Sequence, residues 1–370
     1  MITGASEMPN SIDEIPRDSK AAVFQGPGRL ELQELPIPEL QPGEALVKID
    51  CSTLCGSDLH TFTGRRNEPT PSILGHEAIG RVVRTELAVD IHDALIQVGD
   101  RVTWSVAVSC NNCERCKSGL PQKCFSLAKY GHETAVGRTA LSGGMSEYIL
   151  LRKGSATVRI DDQLPDLVAS PANCATATIA AGLRAAESVA GRRVLILGAG
   201  MLGLSAAAMS RTAGAKQVVV CDPVADRLKL ATAFGADFGL QETSVESIRE
   251  HMNGVQHPFD VILEVSGAIS AIENSIALAD FGAHVILMGS VMPIGKANID
   301  PEMVVRRWLH ICGVHNYAPQ DLVTAIEFLT AQHQQFPFRD LVERSFALRD
   351  IAVAMEYAVS NRPIRLAICP

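Results

Sequence analysis

The sequence predicts an α/β protein that combines a β-rich part with a doubly wound parallel sheet. Up to about residue 105, short apolar runs are broken by Gly and Pro, which is typical of β-strands between turns. From about residue 175, strand-like runs alternate with Ala-rich helical stretches, and this alternation predicts parallel strands joined by crossover helices. A chain of 370 residues is long enough for about two domains of roughly 150 residues each.

Composition and charge exclude several classes of protein. Hydrophobic residues make up 47% of the chain and the net charge is −8, with no extended basic run, so bulk charge gives no sign of a nucleic-acid or membrane partner. The first twenty residues are polar and acidic, so we expect neither a signal peptide nor an anchor but a loose extension over residues 1–19. No run reaches the eighteen apolar residues of a membrane span, and we expect a cytoplasmic location.

The individual elements follow from local runs. In the first half, "KAAVF", "EALVKI", "AIGRVV" and "DRVTW" predict strands. In the second half, "RRVLILG", "KQVVVCD", "FDVILEV" and "AHVILMG" predict the parallel strands, and "LGLSAAAMSRTAG" predicts a helix between the first two of them. The tail after about residue 319 has two helical patterns, "DLVTAIEFLTAQ" and "DIAVAMEYAVS".

Four of the ten cysteines fall within fifteen positions, in the spacing C-x2-C-x2-C-x7-C, at Cys110, Cys113, Cys116 and Cys124. In a reducing compartment such a cluster binds metal more often than it forms disulfides. Four thiolates complete a tetrahedral zinc ion and leave no open position, which predicts a structural zinc site. An iron–sulfur cluster also takes four cysteines, but the spacing matches neither common ferredoxin run. A zinc ribbon that binds nucleic acid is a further alternative.

The motif "GAGMLG" places Gly198, Gly200 and Gly203 in G-x-G-x-x-G, after one predicted strand and at the start of a helix. This context predicts a dinucleotide site: the first glycine makes the turn, the second lets the pyrophosphate approach, and the third lets helix pack on strand. Asp222 lies nineteen residues beyond Gly203, at the end of the next strand. Its carboxylate would accept hydrogen bonds from the ribose and repel a 2′-phosphate, which favours NAD over NADP.

Further chemistry-bearing residues stand at short spacings in the β-rich part. "CSTLCGSDLH" supplies Cys55, Ser57, Asp58 and His60, "ILGHEAIG" supplies His76 and Glu77, and "PANCATAT" supplies Cys174. Each alone would fit a buried cysteine, a core histidine or a helix-terminal acid. Their order and spacing together argue for a functional site.

These motifs, with "VGDRV" and "GGMSEY", resemble those of the zinc-dependent medium-chain dehydrogenases, the alcohol dehydrogenase superfamily, from about residue 20 onward. The resemblance implies a GroES-like β-rich catalytic domain and a Rossmann domain. It makes Cys55, His76 and Cys174 the ligands of a catalytic zinc, with Glu77 behind the metal and able to exchange onto it. It also implies that Asp58 orients the ring of His76.

The resemblance further implies two zinc ions per chain, NAD as cofactor and hydride transfer between an alcohol and its aldehyde or ketone. Ser57 would take the hydroxyl proton, and the resemblance implies that it passes through the nicotinamide ribose to His60 and solvent. We expect cofactor contacts from the glycine motif with Met201 and Leu202, and from Asp222 and Arg227. The domain boundaries expected are residues 1–180 completed by 319–370, with 181–318 forming the Rossmann domain.

The substrate is the open question. The motifs look most like a subgroup of these dehydrogenases associated with phosphonate catabolism, which suggests an organophosphonate alcohol held by Arg65 and Arg66, with Lys129 and His132 as further candidates. A solvated arginine pair and an uncharged alcohol substrate fit the sequence equally. The alternatives are a threonine- or polyol-type dehydrogenase and a zinc-free structural or binding relative. The family also suggests a homo-oligomer, dimer or tetramer.

Overall fold

The computed structural model describes residues 15–241 and 243–370. The loose extension expected over residues 1–19 lies mostly outside this range, but its end is ordered in the structure. The first strand begins at Asp18, and Ser19 is fully buried, with its hydroxyl accepting a hydrogen bond from the backbone N–H of Tyr148.

The described residues form seventeen strands and eleven α-helices. The strands are β1 Asp18–Gly26, β2 Arg29–Pro36, β3 Glu44–Thr53, β4 Ser72–Ile73, β5 Glu77–Glu86, β6 Arg101–Val108, β7 Ala128–Lys129, β8 Tyr148–Leu151, β9 Ser155–Arg159, β10 Arg193–Leu197, β11 Gln217–Cys221, β12 Phe238–Leu240, β13 Phe259–Glu264, β14 Ala279–Leu287, β15 His310–Gly313, β16 Val342–Ala347 and β17 Arg365–Cys369. The helices are α1 Gly56–Phe62, α2 Glu114–Lys117, α3 Asp166–Ala169, α4 Ala175–Ala185, α5 Met201–Thr212, α6 Ala225–Ala231, α7 Val245–His251, α8 Ile269–Leu278, α9 Pro301–Arg306, α10 Pro319–Gln332 and α11 Ile351–Asn361.

The β-rich part consists of two sheets. One has three strands in the order β2-β1-β4, and the other has the order β16-β17-β3-β5-β6-β7, with β8 paired to β3 and β9 paired to β6. The strands expected from the sequence at the start of the chain are confirmed as β1, β3, β5 and β6. The last strand, β17, returns to this part and pairs antiparallel with β3.

The other half is a six-stranded parallel sheet in the order β12-β11-β10-β13-β14-β15. The four apolar runs expected to form it are confirmed as β10, β11, β13 and β14. The strand order reverses between β10 and β13, where ligands of open α/β sheets bind outside the carboxyl ends of the strands. The α/β fold class, a GroES-like β-rich part with a Rossmann sheet, is confirmed.

A continuous apolar core joins the two halves. It runs from β3 and β5 through α4, α5 and α10 to the parallel strands, with Ile79, Ile179, Leu204 and Leu322 fully buried. The expected boundary at residue 180 falls inside α4, which packs on both α5 and α10. None of the described helices has the length and apolarity needed to cross a lipid bilayer.

Candidate active site

A cleft of about 740 Å³ lies between the β-rich part and the parallel sheet. From the β-rich side it is lined by α1, by the residues before β5 and by the start of α4. From the other side it is lined by the start of α5 and by the loops that follow β13, β14 and β15. The carboxyl ends of the parallel strands therefore face the polar residues expected to carry the chemistry.

Strand register brings three distant polar groups to one edge of the large sheet. Thr53, the last residue of β3, pairs with Glu77, the first residue of β5. Cys55 therefore follows one strand at the point where His76 precedes the other. In β17, Ala367 pairs with Thr53, so Arg365 reaches the same edge.

Cys55, His76, Glu77 and Cys174 form the first metal-binding cluster, with their ligand atoms all within 4.8 Å of one another. The sulfurs of Cys55 and Cys174 are 3.9 Å apart. Two thiolates bound to one tetrahedral zinc at the usual bond length would lie about 3.8 Å apart. Two cysteines and a histidine with room beside them in the cleft fit a catalytic zinc ion.

Buried charge stabilises this cluster. Arg365 donates two hydrogen bonds of 2.9 Å to the carboxylate of Glu77, and its guanidinium lies 3.7 Å from the sulfur of Cys55. A hydrogen bond with Cys174 and the positive charge of Arg365 lower the pKa of Cys55 well below its usual range. Burial raises the pKa of Glu77 to about 7, although the positive charge of Arg365 acts in the opposite direction and lowers this pKa. The motifs of the sequence did not point to Arg365, although a single arginine inside the apolar run "IRLAIC" was a visible signal.

Asp58 acts on the cluster through the backbone. Its carboxylate accepts hydrogen bonds from the backbone N–H of Cys55, a member of the cluster, at 2.8 Å, and from that of Gly75, which precedes His76, at 3.2 Å. The nearest ring nitrogen of His76, Nδ1, is 3.6 Å from the carboxylate, beyond a hydrogen bond. The structure therefore places Asp58 where it orders the loops on either side of the cluster, in addition to facing the ring.

The four cysteines of the lobe form the second cluster, again with all ligand atoms within 4.8 Å. The sulfur of Cys113 is 3.4 Å from that of Cys116 and 3.9 Å from that of Cys124, and Cys110 is 3.4 Å from Cys124. All ten cysteines are free thiols in the structure. Four sulfurs at these spacings fit a closed tetrahedral zinc site that holds the lobe.

Ser57 and His60 lie three residues apart on α1, which places them on one face of the helix, and both line the cleft. Burial and the charge of Arg65 lower the pKa of His60, so its ring is neutral at neutral pH. A hydroxyl and a neutral imidazole on the same wall can accept and pass on a proton.

The glycine motif forms the turn between β10 and α5. Gly198 has φ of +115°, and a Cβ on Gly203 would lie 1.8 Å from the carbonyl oxygen of Gly198, so both positions require glycine. A Cβ on Gly200 would meet no atom within 4 Å, and Gly200, Met201 and Leu202 line the cleft. This open cradle at the start of α5 suits a pyrophosphate.

Asp222 directly follows β11 and is buried. Its carboxylate accepts hydrogen bonds from the N–H of Ala199 at 2.7 Å and of Val224 at 2.8 Å. Asp222 therefore also ties the glycine turn to the next strand, a role that the sequence did not indicate. Arg227 lies 4.0 Å from Asp222 and lines the cleft.

Arg65, Arg66, Lys129 and His132, which the sequence analysis connected with the substrate, all line the cleft. Arg65 is exposed, whereas Arg66 is half-buried and forms an ion pair of 2.7 Å with Glu68. The ring of His132 stacks on that of His76, with centroids 5.3 Å apart. His315 also lines the cleft, as does Arg362, for which the sequence gave no expectation.

Comparisons with known proteins agree with this arrangement. Residues 41–162 match the family described as "Alcohol dehydrogenase GroES-like domain", and residues 202–331 match "Zinc-binding dehydrogenase". The chain is similar to a 5-exo-hydroxycamphor dehydrogenase of Pseudomonas putida, with 26% identity over 95% of this chain and 98% of that protein. It is also similar to an L-threonine 3-dehydrogenase of Saccharopolyspora erythraea, with 32% identity over 77% of this chain and 80% of that protein.

Among solved structures, an alcohol dehydrogenase of Thermotoga maritima superimposes with a TM-score of 0.88 at 29% identity, over 95% of this chain and 99% of that one. The chain carries a four-cysteine structural zinc site and a catalytic site of cysteine, histidine and glutamate. It is an oxidoreductase that acts on CH–OH donors. The protein thus belongs to the zinc-containing medium-chain alcohol dehydrogenase superfamily.

Proposed function

We propose that the protein interconverts an alcohol and its aldehyde or ketone by hydride transfer to and from NAD, with a zinc ion at the reacting oxygen. One observation carries the proposal: the cysteine–histidine cluster and the glycine-rich turn open into the same cleft. A cofactor on the turn would therefore meet a substrate at the cluster. In such an enzyme the protein binds and positions the reactants, and the cofactor carries out the redox chemistry.

Cys55, His76 and Cys174 would hold the catalytic zinc, whose chemistry is that of a Lewis acid which lowers the pKa of an alcohol. Glu77 is paired with Arg365, and its carboxylate lies within 4.8 Å of the other three ligand atoms, so it could also bind the metal. Because Nδ1 of His76 faces Asp58, Nε2 is the nitrogen free to bind. Cys110, Cys113, Cys116 and Cys124 would hold the structural zinc.

We assign Ser57 to relay the proton of the substrate hydroxyl: as its oxygen accepts that proton it gives up its own, and His60 is the residue that finally releases a proton to solvent. What supports this is their position on one face of α1, along the wall of the cleft. The neutral His60 ring has a lone pair ready for that proton.

NAD rather than NADP is the cofactor that the carboxylate of Asp222 favours, since a 2′-phosphate beside it would meet a like charge. Gly198, Gly200, Met201, Leu202, Gly203 and Arg227 complete the cofactor contacts in this proposal. Two of the carboxylate's lone pairs are used by Ala199 and Val224, and the others remain for ribose hydroxyls.

The division of the chain into a catalytic domain of residues 1–180 with 319–370 and a Rossmann domain of residues 181–318 is part of the proposal, supported by the pairing of β17 with β3. We also propose a homo-oligomer. The edge strand β15 is exposed along its whole length, and Trp308 beside it is 75% exposed, so a second copy could pair there. A cytoplasmic location agrees with ten free cysteines.

Two finer substrate classes compete. An organophosphonate alcohol is the class suggested by the sequence motifs, and the cations of the cleft support a charged substrate. Threonine is suggested by the similarity to an L-threonine 3-dehydrogenase. A panel of alcohols that includes 1-propanol, a hydroxyalkyl phosphonate, a hydroxy acid, a polyol and L-threonine tests the function, with NADH formation followed by absorbance. We expect at least one alcohol to reduce NAD, and no reduction by any class of alcohol with the zinc-replete protein would contradict the proposal.

A further inference from the structure

The wall of the cleft carries cations and no carboxylates. Among the described residues that line it there is no Asp or Glu, although the chain as a whole has 41 acidic and 33 basic residues. The lining instead contains four histidines and six basic side chains, namely Arg65, Arg66, Lys129, Arg227, Arg362 and Arg365. The composition of the whole chain would predict more acidic than basic side chains, so the excess of basic side chains is a local property of the cleft.

These cations serve different ends of the cleft. Arg227 lies beside Asp222 at the cofactor end, and Arg365 is neutralised by its two hydrogen bonds to Glu77. Lys129 lies at the other end, close to the metal-binding cluster: the N–H of His132 donates to its carbonyl oxygen, and the ring of His132 stacks on His76. A positive charge beside the metal-binding cluster is placed for the substrate, whereas the glycine turn is the place suited to the cofactor's pyrophosphate.

The ammonium of Lys129 has no counterion within ion-pair distance in the described part of the chain. The side chain is half-buried, and its pKa is lowered by burial and by the charges of Arg66 and Lys123. The nearby carboxylate of Glu68 is already engaged, since it binds Arg66 at 2.7 Å and His132 at 2.9 Å. A partly desolvated cation without a partner is costly, and an anionic ligand would remove that cost.

His315 adds a donor from the opposite side of the cleft. The ammonium of Lys123 donates a hydrogen bond of 2.9 Å to Nδ1 of His315, so in the neutral ring Nε2 carries the proton. Burial and the charges of Lys123 and Lys129 lower the pKa of His315 to about 4, which keeps the ring neutral. The parallel-sheet half thus supplies a neutral N–H donor to the same end of the cleft as Lys129, and Lys123 of the cysteine lobe adds a positive charge behind it.

Resting on the proposed function, we infer that the substrate is an alcohol bearing an anionic group, bound by Lys129 with help from His315 and from the terminal N–H groups of Arg66, whose contact with Glu68 is made through Nε. The group is a phosphonate, a phosphate ester or a carboxylate, each of which offers several oxygens to such donors. The same wall offers no carboxylate to an ammonium group among the described residues, so an amino acid such as threonine fits it poorly. Arg65, which is exposed, is a weaker candidate than Lys129 because water screens its charge.

The test compares kcat/KM for three short primary alcohols that differ in the group they carry: 2-hydroxyethylphosphonate, 3-hydroxypropionate and the uncharged 1-propanol. It uses the zinc-replete wild type, Lys129→Met and the control Lys20→Met, whose lysine is exposed on β1 and outside the cleft. We expect a charged alcohol to be the best wild-type substrate. Loss of one charge-assisted contact should lower its kcat/KM about 10- to 100-fold in Lys129→Met and leave 1-propanol and the control nearly unchanged. Whether the phosphonate or the carboxylate ranks first identifies the kind of anion.

Calorimetric binding of ethylphosphonate and of propionate with NADH present separates this inference from the proposed function, because neither compound has a hydroxyl to oxidise. If the affinity for these anions falls at least tenfold in Lys129→Met but not in Lys20→Met, the anion site is supported. This holds even if no alcohol is oxidised, and in that case only the proposed function is wrong. Equal affinities in Lys129→Met and wild type, or 1-propanol as the best substrate, would overturn the inference.

Discussion

At the scale of single residues, Asp222 combines two functions that the sequence showed only in part. Its carboxylate holds the backbone N–H groups of Ala199 and Val224, and so fixes the turn on which a pyrophosphate would rest. The same carboxylate is the group that would discriminate between NAD and NADP. A change at Asp222 should therefore affect both cofactor selectivity and cofactor affinity.

We expect Asp222→Ser to reduce the ratio of kcat/KM for NAD to that for NADP at least tenfold, because the like-charge repulsion of a 2′-phosphate disappears. The KM for NAD should also rise, since the turn loses two hydrogen bonds. Asp226→Ser is the matched control, as Asp226 is exposed on α6 and pairs only with Lys229. A wild-type protein that used both cofactors equally would disprove the role of Asp222 in selectivity.

Arg365 and Glu77 form a buried ion pair whose loss should be costly. Their side chains are 6% and 0% exposed, so Arg365→Met leaves a buried carboxylate without its partner. We expect the free energy of unfolding to fall by about 3–5 kcal/mol, measured by chemical denaturation. Arg349→Met removes an exposed arginine that lies 3.8 Å from Asp350, and should change stability by less than about 1 kcal/mol. Similar effects of the two substitutions would contradict the structural role of Arg365.

At the scale of elements, the cysteine lobe has little apolar core of its own. None of the residues of α2 is buried, and Phe125 next to Cys124 is 62% exposed. The lobe therefore depends on metal binding rather than on packing for its stability, since structural zinc contributes directly to folding.

Cys113→Ser should release one zinc ion, lower the melting temperature and make residues 110–124 susceptible to limited proteolysis. Cys312→Ser is the control, because Cys312 is exposed on β15 and belongs to neither cluster. A Cys113→Ser protein that kept its zinc content and resisted protease like the wild type would show that the lobe does not need the metal.

The elements that sequence predicted well are those whose pattern is local. The apolar runs of β10, β11, β13 and β14 are each three or more residues long and flanked by turn residues, so their strand character is visible without a structure. Strand β15, "HICG", is short and exposed, and it has no such pattern. Likewise, a single sequence cannot pair Arg365 with Glu77 across 288 positions, because only the register of β17, β3 and β5 brings them together.

At the scale of the whole molecule, each half supplies what the other lacks. The β-rich part contributes the metal-binding residues, and the parallel sheet contributes the glycine turn. These groups face one cleft because β17 and the shared core hold the two halves together. The positive wall of that cleft, in a chain of net charge −8, likewise draws on residues from both halves.

Each chain is proposed to hold two zinc ions with separate roles, one in the cleft and one in the lobe. The decisive measurement is the zinc content of carefully purified wild-type protein and of Cys174→Ser, together with their circular dichroism spectra. We predict two zinc ions per chain in the wild type and one in a folded Cys174→Ser. One zinc or none in the wild type, or two in Cys174→Ser, would contradict the account.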